Sequence, residues 1–193
     1  MLKIENLCKR FDEKAVFTDF SFDFEDKGIY ALVGESGIGK TTLLRIIAGL
    51  DKEYDGRVLG GGIGRVSVAF QEHRLFPHLS AIENVVFAVS DRKDKAVYEK
   101  AENILKKLGI SEEDFPLLPS ALSGGMKQRI SLARAIIKEA DILLLDEPTK
   151  ELDSYNADLV RRLVLEQKEK RLVIISTHSE QDLLSLGAEI IPI

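Results

Sequence analysis

The sequence predicts an α/β protein: a mainly parallel sheet covered by helices, with a small helical insert. Three observations carry this expectation. Short apolar, strand-like runs alternate with helix-like segments on both sides of the chain's middle. One of these runs feeds a glycine-rich loop that opens a helical pattern. Residues 78–120 interrupt the alternation with helix signals alone.

The elements follow in order. A polar–apolar alternation begins directly after Met1, and Phe20, Phe22 and Phe24 alternate with polar residues as on a half-buried strand. Residues 28–33 are nearly all apolar and read as a buried strand of a parallel sheet. Residues 41–49 read as a helix with Leu43, Leu44, Ile46 and Ile47 on its inner side and Gly49 near its end. Residues 63–70 read as a further strand. In the insert, Ser80 and Glu83 have the spacing of a capping box. Residues 94–108 form a helix with Val97, Ala101, Ile104, Leu105 and Leu108 on one face, stopping at Gly109 and closed by the proline segment 116–119. From Gly124 the alternation resumes. A helix runs to about residue 140, followed by a strand at 142–145, a helix near 155–170 and a strand at 172–176. A short helix comes after Ser179, and a last apolar run covers 190–193. The chain is read as one domain over 1–193, with an approximate helical subdomain at 78–140.

The 193 residues suffice for a sizeable core, and the 45% hydrophobic and 31% charged content is that of a globular chain. A net charge of −5 argues against a general nucleic-acid-binding role. The single Cys8 allows no internal disulfide and points to a reducing compartment. No apolar run reaches the ~18–20 residues needed to span a bilayer, and no signal peptide is visible. With three histidines and one cysteine, a structural zinc site is not expected.

Three stretches carry chemistry. Gly34, Glu35, Ser36, Gly37, Ile38, Gly39, Lys40 and Thr41 fit G-x-x-x-x-G-K-[ST] in full, after a strand and before a helix. Backbone N–H groups of such a loop wrap a phosphate chain. Lys40 would reach the β- and γ-phosphates, and the Thr41 hydroxyl would take a Mg²⁺ position. The apolar strand 142–145 ends in Asp146 and Glu147. Beside a phosphate loop, Asp146 suits Mg²⁺ and Glu147 suits the polarisation of an attacking water. Finally, Leu122, Ser123, Gly124, Gly125, Met126, Lys127, Gln128 and Arg129 form a small-residue turn opening a helix. Its uncovered N–H groups would also suit a phosphate. Arg129 and Arg134 have the spacing of packing and solvated charge, and His73 and His78 read as surface residues.

Together these motifs resemble the nucleotide-binding subunit of an ABC transporter, over nearly the whole chain. The resemblance implies a P-loop core of mainly parallel sheet, an N-terminal antiparallel β subdomain and the inserted helical subdomain. It implies an ATPase using ATP and Mg²⁺. Phe11 matches the aromatic that stacks on adenine, and Thr42 joins residues 34–41 in binding ATP. Gln71 matches the Q-loop glutamine, which touches Mg²⁺ with Thr41 and Asp146 and senses a membrane partner. Asp153 matches the D-loop aspartate and His178 the switch histidine, which acts with Glu147 and Lys40 in catalysis. Ser123, Gly124, Gly125 and Asp153 would serve ATP held by a partner subunit in a homodimer or head-to-tail pair. Permease subunits would dock near the Q-loop. Of the segment 72–86, Leu75, Phe76, Pro77 and Leu79 either line that groove or pack the insert. The wording is similar to importers of the nitrate, sulfonate and taurine group, so a solute-binding protein is an indirect partner and the cargo a small anion or organic nutrient. The location implied is cytoplasmic, peripheral at the inner face of the membrane. A soluble ATPase of the same family, in iron–sulfur assembly, repair or translation, and an ATP-binding module with little turnover are the competing readings. Relative to the family pattern, Ile38 replaces a common serine, no C-terminal regulatory domain is expected, and Lys150 and Glu151 stand where the D-loop often has small residues.

Overall fold

The computed structural model describes residues 1–12, 14–89 and 94–193. The approximate subdomain expected at 78–140 therefore includes a stretch, 90–93, outside the described residues. The chain divides into two compact units. The first comprises Met1–Val68, Ala140–Asp146 and Gln167–Ile193, and the second Ala69–Glu139 and Glu147–Glu166.

The first unit holds two sheets. In one, β1 (Leu2–Phe11) pairs antiparallel with β2 (Lys14–Phe24) and with β4 (Asp55–Leu59), in the order β2-β1-β4. Leu2, Ile4 and Leu7 of β1 are buried, as the alternation requires. In the other sheet, the strands β3 (Gly28–Val33), β5 (Val66–Ala69), β6 (Ile142–Asp146), β7 (Leu172–Ser176) and β8 (Glu189–Pro192) lie in the order β5-β6-β7-β3-β8. The pairs β3–β7, β3–β8 and β6–β7 are parallel. Every residue of β6 and β7 is buried, which is why both read as unbroken apolar runs.

Helix α1 (Lys40–Ile47) follows β3 and buries Leu43, Leu44, Ile46 and Ile47 in one core with Leu2, Phe24, Leu32, Leu144 and Ile174. Phe22, Phe24 and Tyr30 add edge-on ring contacts at 4.7–5.9 Å. The helix α6 (Glu180–Leu186) completes this unit.

The second unit is helical: α2 (Ala81–Val86), α3 (Lys95–Lys107), α4 (Gly124–Ile137) and α5 (Ser154–Leu165). The capping box is present in both directions. Ser80 N–H donates to Glu83 Oε2 at 2.8 Å, and Glu83 N–H donates to Ser80 Oγ at 3.4 Å. The bond from the Ser80 backbone N–H holds the Glu83 carboxyl below its ordinary range. Asn84, fully buried, accepts from Phe76 N–H and donates to the carbonyls of Phe76, Leu79 and Ser80, fixing the chain entering α2.

Two expectations change, and one strand was not expected. The strand expected at 63–70 is only Val66–Ala69. Gly62 and Gly64 have φ of 99° and 98°, and Ile63 is 82% exposed. The helix expected at 155–170 ends at Leu165, and its cap is Asp153, whose Oδ1 accepts from Asn156 N–H at 2.9 Å. The strand β4 carries no apolar alternation strong enough to have been anticipated.

Candidate functional site

In the first unit, the glycine loop joins β3 to α1. Gly39 has φ 128°, and a Cβ there would lie 2.4 Å from Val16 Cγ1, so only glycine fits. Lys40 begins α1, is 6% exposed, and donates to Gly34 O at 2.8 Å and Glu35 O at 2.9 Å. Its ammonium is thereby folded back over the loop. Residues 35–38 are exposed. Thr41 Oγ1 donates to Asp146 Oδ2 at 2.8 Å, across from the start of α1 to the end of β6. Asp146 Oδ1 accepts from Ser176 Oγ at 2.5 Å, and Asp146 and Ser176 are register partners in the sheet. The parallel strand ends thus bring a lysine, a hydroxyl and a carboxylate to one side of the loop.

His178 lies two residues beyond Ser176 and is exposed. The turn carrying it is built by neighbours. Thr177 Oγ1 donates to the fully buried Asp182 at 2.8 Å and accepts from Ser179 N–H at 3.0 Å. Asp182 N–H donates to Ser179 Oγ at 3.2 Å. Asp182 and Ser176 were not singled out from the sequence. The S-x-x-D spacing of Ser179 and Asp182 was the available signal.

Phe11 ends β1, 50% exposed, with Lys9 Nζ 4.7 Å from its ring centroid. Lys9 itself is buried against Asp51 at 2.9 Å and Glu53 O at 2.6 Å. Burial pushes the Asp51 carboxyl up, but the hydrogen bonds from Lys9 and Glu53 N–H, with the charges of Lys9 and Arg45, together outweigh it and leave the group below its ordinary value.

In the second unit, Ser123 caps α4: its Oγ accepts from Met126 N–H at 3.2 Å. Ser123 and Gly124 are exposed, and no atom lies within 4 Å of a Cβ built at Gly124. The N-terminal turn of α4 therefore presents bare backbone. Gln71, in the loop after β5, is exposed. Glu147 has φ 50°; its side chain is 15% exposed and paired with Lys150 at 2.6 Å. Gln128 Nε2 donates to Glu147 O at 3.2 Å and Pro148 O at 3.1 Å, tying α4 to the residues after β6.

The arginines of α4 pack, as expected, but are less solvated than expected. Arg129 is 7% exposed rather than solvated, and donates to Gly125 O, Leu108 O, Gly109 O and Asn156 Oδ1 at 2.7–3.2 Å. Its burial holds the guanidinium below its ordinary value. Asn156 Nδ2 donates in turn to Asp153 Oδ2 at 2.5 Å, so one network joins α4, the end of α3 and the D-loop aspartate. The bond from Asn156 N–H holds the Asp153 carboxyl low. Arg134 donates to Arg74 O and His73 O and lies 5.7 Å from the Phe76 ring centroid. Phe76 also packs on Phe87, centroids 4.3 Å apart. His73 is half-buried rather than at the surface. Its Nδ1 is buried with no hydrogen-bond partner among the described residues, and burial lowers its pKa. His78 is exposed, as expected. These buried cations were not legible because their acceptors are carbonyls from distant turns.

The chain is similar to known proteins. A family model described as ABC transporter matches residues 17–150. An aliphatic sulfonates import ATP-binding protein of Streptomyces avermitilis is 38% identical over 98% of this chain and 72% of its own length. An Fe(3+) ions import ATP-binding protein of Agrobacterium fabrum is 38% identical over 97% of this chain and 56% of its own. A spermidine/putrescine import ATP-binding protein of Fusobacterium nucleatum is 36% identical over 98% and 54%. The chain thus spans about half of the latter two relatives. Two solved structures of an ATP-binding cassette match all of this chain and 94% of theirs. A dimeric post-hydrolysis state bound to ADP and Pi has TM-score 0.86 at 26% identity, and a dimeric bacterial ABC transporter cassette has 0.88 at 28%. No helix among the described residues is long and apolar enough to cross a membrane.

Proposed function

We propose a function from one premise: the chain belongs to the ABC transporter family. It is the ATP-hydrolysing subunit that powers import of a solute across a membrane. The observation that carries this reading is the Thr41–Asp146 hydrogen bond at 2.8 Å beside the buried Lys40, at the end of a glycine loop.

ATP is the substrate. The loop's N–H groups and Lys40 bind its phosphates. Thr41 and Asp146 offer hard oxygen donors, the chemistry that Mg²⁺ selects, so these residues fit that ion, with Gln71 as a further ligand on the resemblance. When bound, Mg²⁺ neutralises charge on the β- and γ-phosphate oxygens. Phe11, exposed on one side, stacks on adenine. Glu147 takes a proton from the attacking water, whose oxygen bonds to the γ-phosphorus. The bond to the ADP oxygen breaks, and ADP and phosphate leave. His178 donates a hydrogen bond to a γ-phosphate oxygen.

The bare N-terminal turn of α4, with Ser123, Gly124 and Gly125, is offered to ATP held by a second subunit, together with Asp153. The dimeric relatives support such a head-to-tail pair. Import-type relatives support permease subunits as partners, docking near Gln71 at the inner membrane face, with a solute-binding protein acting indirectly. The relatives are named for sulfonates, Fe(3+) ions and polyamines, so the shared element is import; the cargo class read here is a small anion or organic nutrient. Lys40→Ala tests the phosphate assignment. Fluorescent-ATP binding and phosphate release are both expected to be lost, and wild-type turnover would sink it.

A further inference from the structure

Lys150 lies three residues after Glu147 and three before Asp153. Its Nζ is 2.6 Å from Glu147 Oε2, and its N–H donates to Glu147 O at 3.2 Å, closing the turn. Gln128 fixes the same Glu147 carbonyl from α4. The backbone of Glu147 is therefore anchored on the helix, while its carboxylate is held by the loop. Glu147 and Glu151, on either side of Lys150, have φ of 50° and 63°, a region that glutamate rarely occupies. The loop holding the ammonium therefore has left-handed backbone on both flanks.

We propose that Lys150 is a latch on Glu147. In the single subunit it commits Oε2 to the ammonium, and engagement of the 150–153 loop by a second subunit opens the pair and releases the carboxylate. The proposal rests on the reading of Glu147 as the base that takes the water's proton. The ion pair fixes the direction of the carboxylate, so swinging it out of the loop onto a water requires the pair to open. The Lys150 side chain is 46% exposed, which keeps the latch weak and reversible. It holds Glu147 in a single subunit and opens on pairing, because Lys150 shares its loop with Asp153, so each turnover bears the cost of opening it. The small residues usual at this position would leave no such restraint.

The test compares phosphate release from Mg-ATP by the full chain and its K150S, K150M, K150R and E147Q variants, at 50 and 500 mM salt. K150S and K150M are expected to raise kcat about two- to fivefold without changing KM, the range a partly exposed ion pair supports. K150R is expected to stay near wild type. The excess of K150M over wild type is expected to shrink at 500 mM, where salt screens the wild-type pair. A kcat at or below wild type in both K150S and K150M overturns the latch. Wild-type turnover by E147Q overturns the reading of Glu147 as the base instead, and so distinguishes the two failures.

Discussion

Replacing Arg129 by methionine keeps the buried stem and removes every donor. Leu108 O and Gly109 O, the carbonyls beyond the end of α3, lose their bonds of 2.7 and 3.2 Å, and Asn156 Oδ1 loses one of 2.7 Å. Gly125 O also loses a partner, but it sits in the first turn of α4, where backbone bonding continues. Each stranded buried acceptor costs about 1–3 kcal/mol. Against this, the variant no longer has to desolvate a guanidinium, the cost expressed in its lowered pKa. Leu108 O is buried, whereas Gly109 is exposed and Asn156 half-buried, so one full and two partial losses give a net loss of about 2 kcal/mol. The chain has no tryptophan, so urea unfolding is best followed by far-UV circular dichroism. With a slope of about 2 kcal/mol per molar, the midpoint is expected to fall by about 1 M. R129K, with one point of donation in place of a fork, is expected to fall between. A fall of less than about 0.3 M in R129M, on the same slope, would refute the argument that these acceptors depend on Arg129.

Two further outcomes follow from other contacts. The Asp51 carboxyl is held below its ordinary value in the folded chain, so its contribution to stability is full above the unfolded value and lost as pH falls through the folded one. D51N removes the counter-charge of the buried Lys9, which keeps Glu53 O as an acceptor, and is expected to cost about 3 kcal/mol at neutral pH and to flatten the acid limb of a stability–pH curve; an unchanged limb in urea melts would contradict it. Ser123→Arg places a bulky cation at the exposed start of α4. ATP binding by the single subunit, read by nucleotide fluorescence, is expected to persist while turnover falls at least tenfold. Unchanged phosphate release would count against a site shared between two copies.

The phosphate loop and the buried strands were legible because their signals are local: an all-apolar run, a glycine pattern, a lysine at fixed spacing. The capping box at Ser80 and Glu83 was legible for the same reason. What escaped depended on partners distant in sequence. Arg129 looks like a solvated charge until the carbonyls of Leu108 and Gly109 are brought against it. The fully buried Asn84 and Asp182 are satisfied by turns that no periodicity announces. Glycines at 60–62 and 64 shortened a strand that composition alone would have extended. The unusual charges at Lys150 and Glu151 were visible in the sequence, but the pairing of Lys150 with Glu147 depends on left-handed backbone at Glu147, which glutamate does not advertise.

The central claim is that this chain hydrolyses ATP through Glu147, and phosphate release by Glu147→Gln beside wild type measures it most directly. The account predicts that the variant binds ATP as wild type does and loses turnover by about a hundredfold or more, the contribution of a positioned general base. A variant that binds ATP and releases phosphate at the wild-type rate would contradict it.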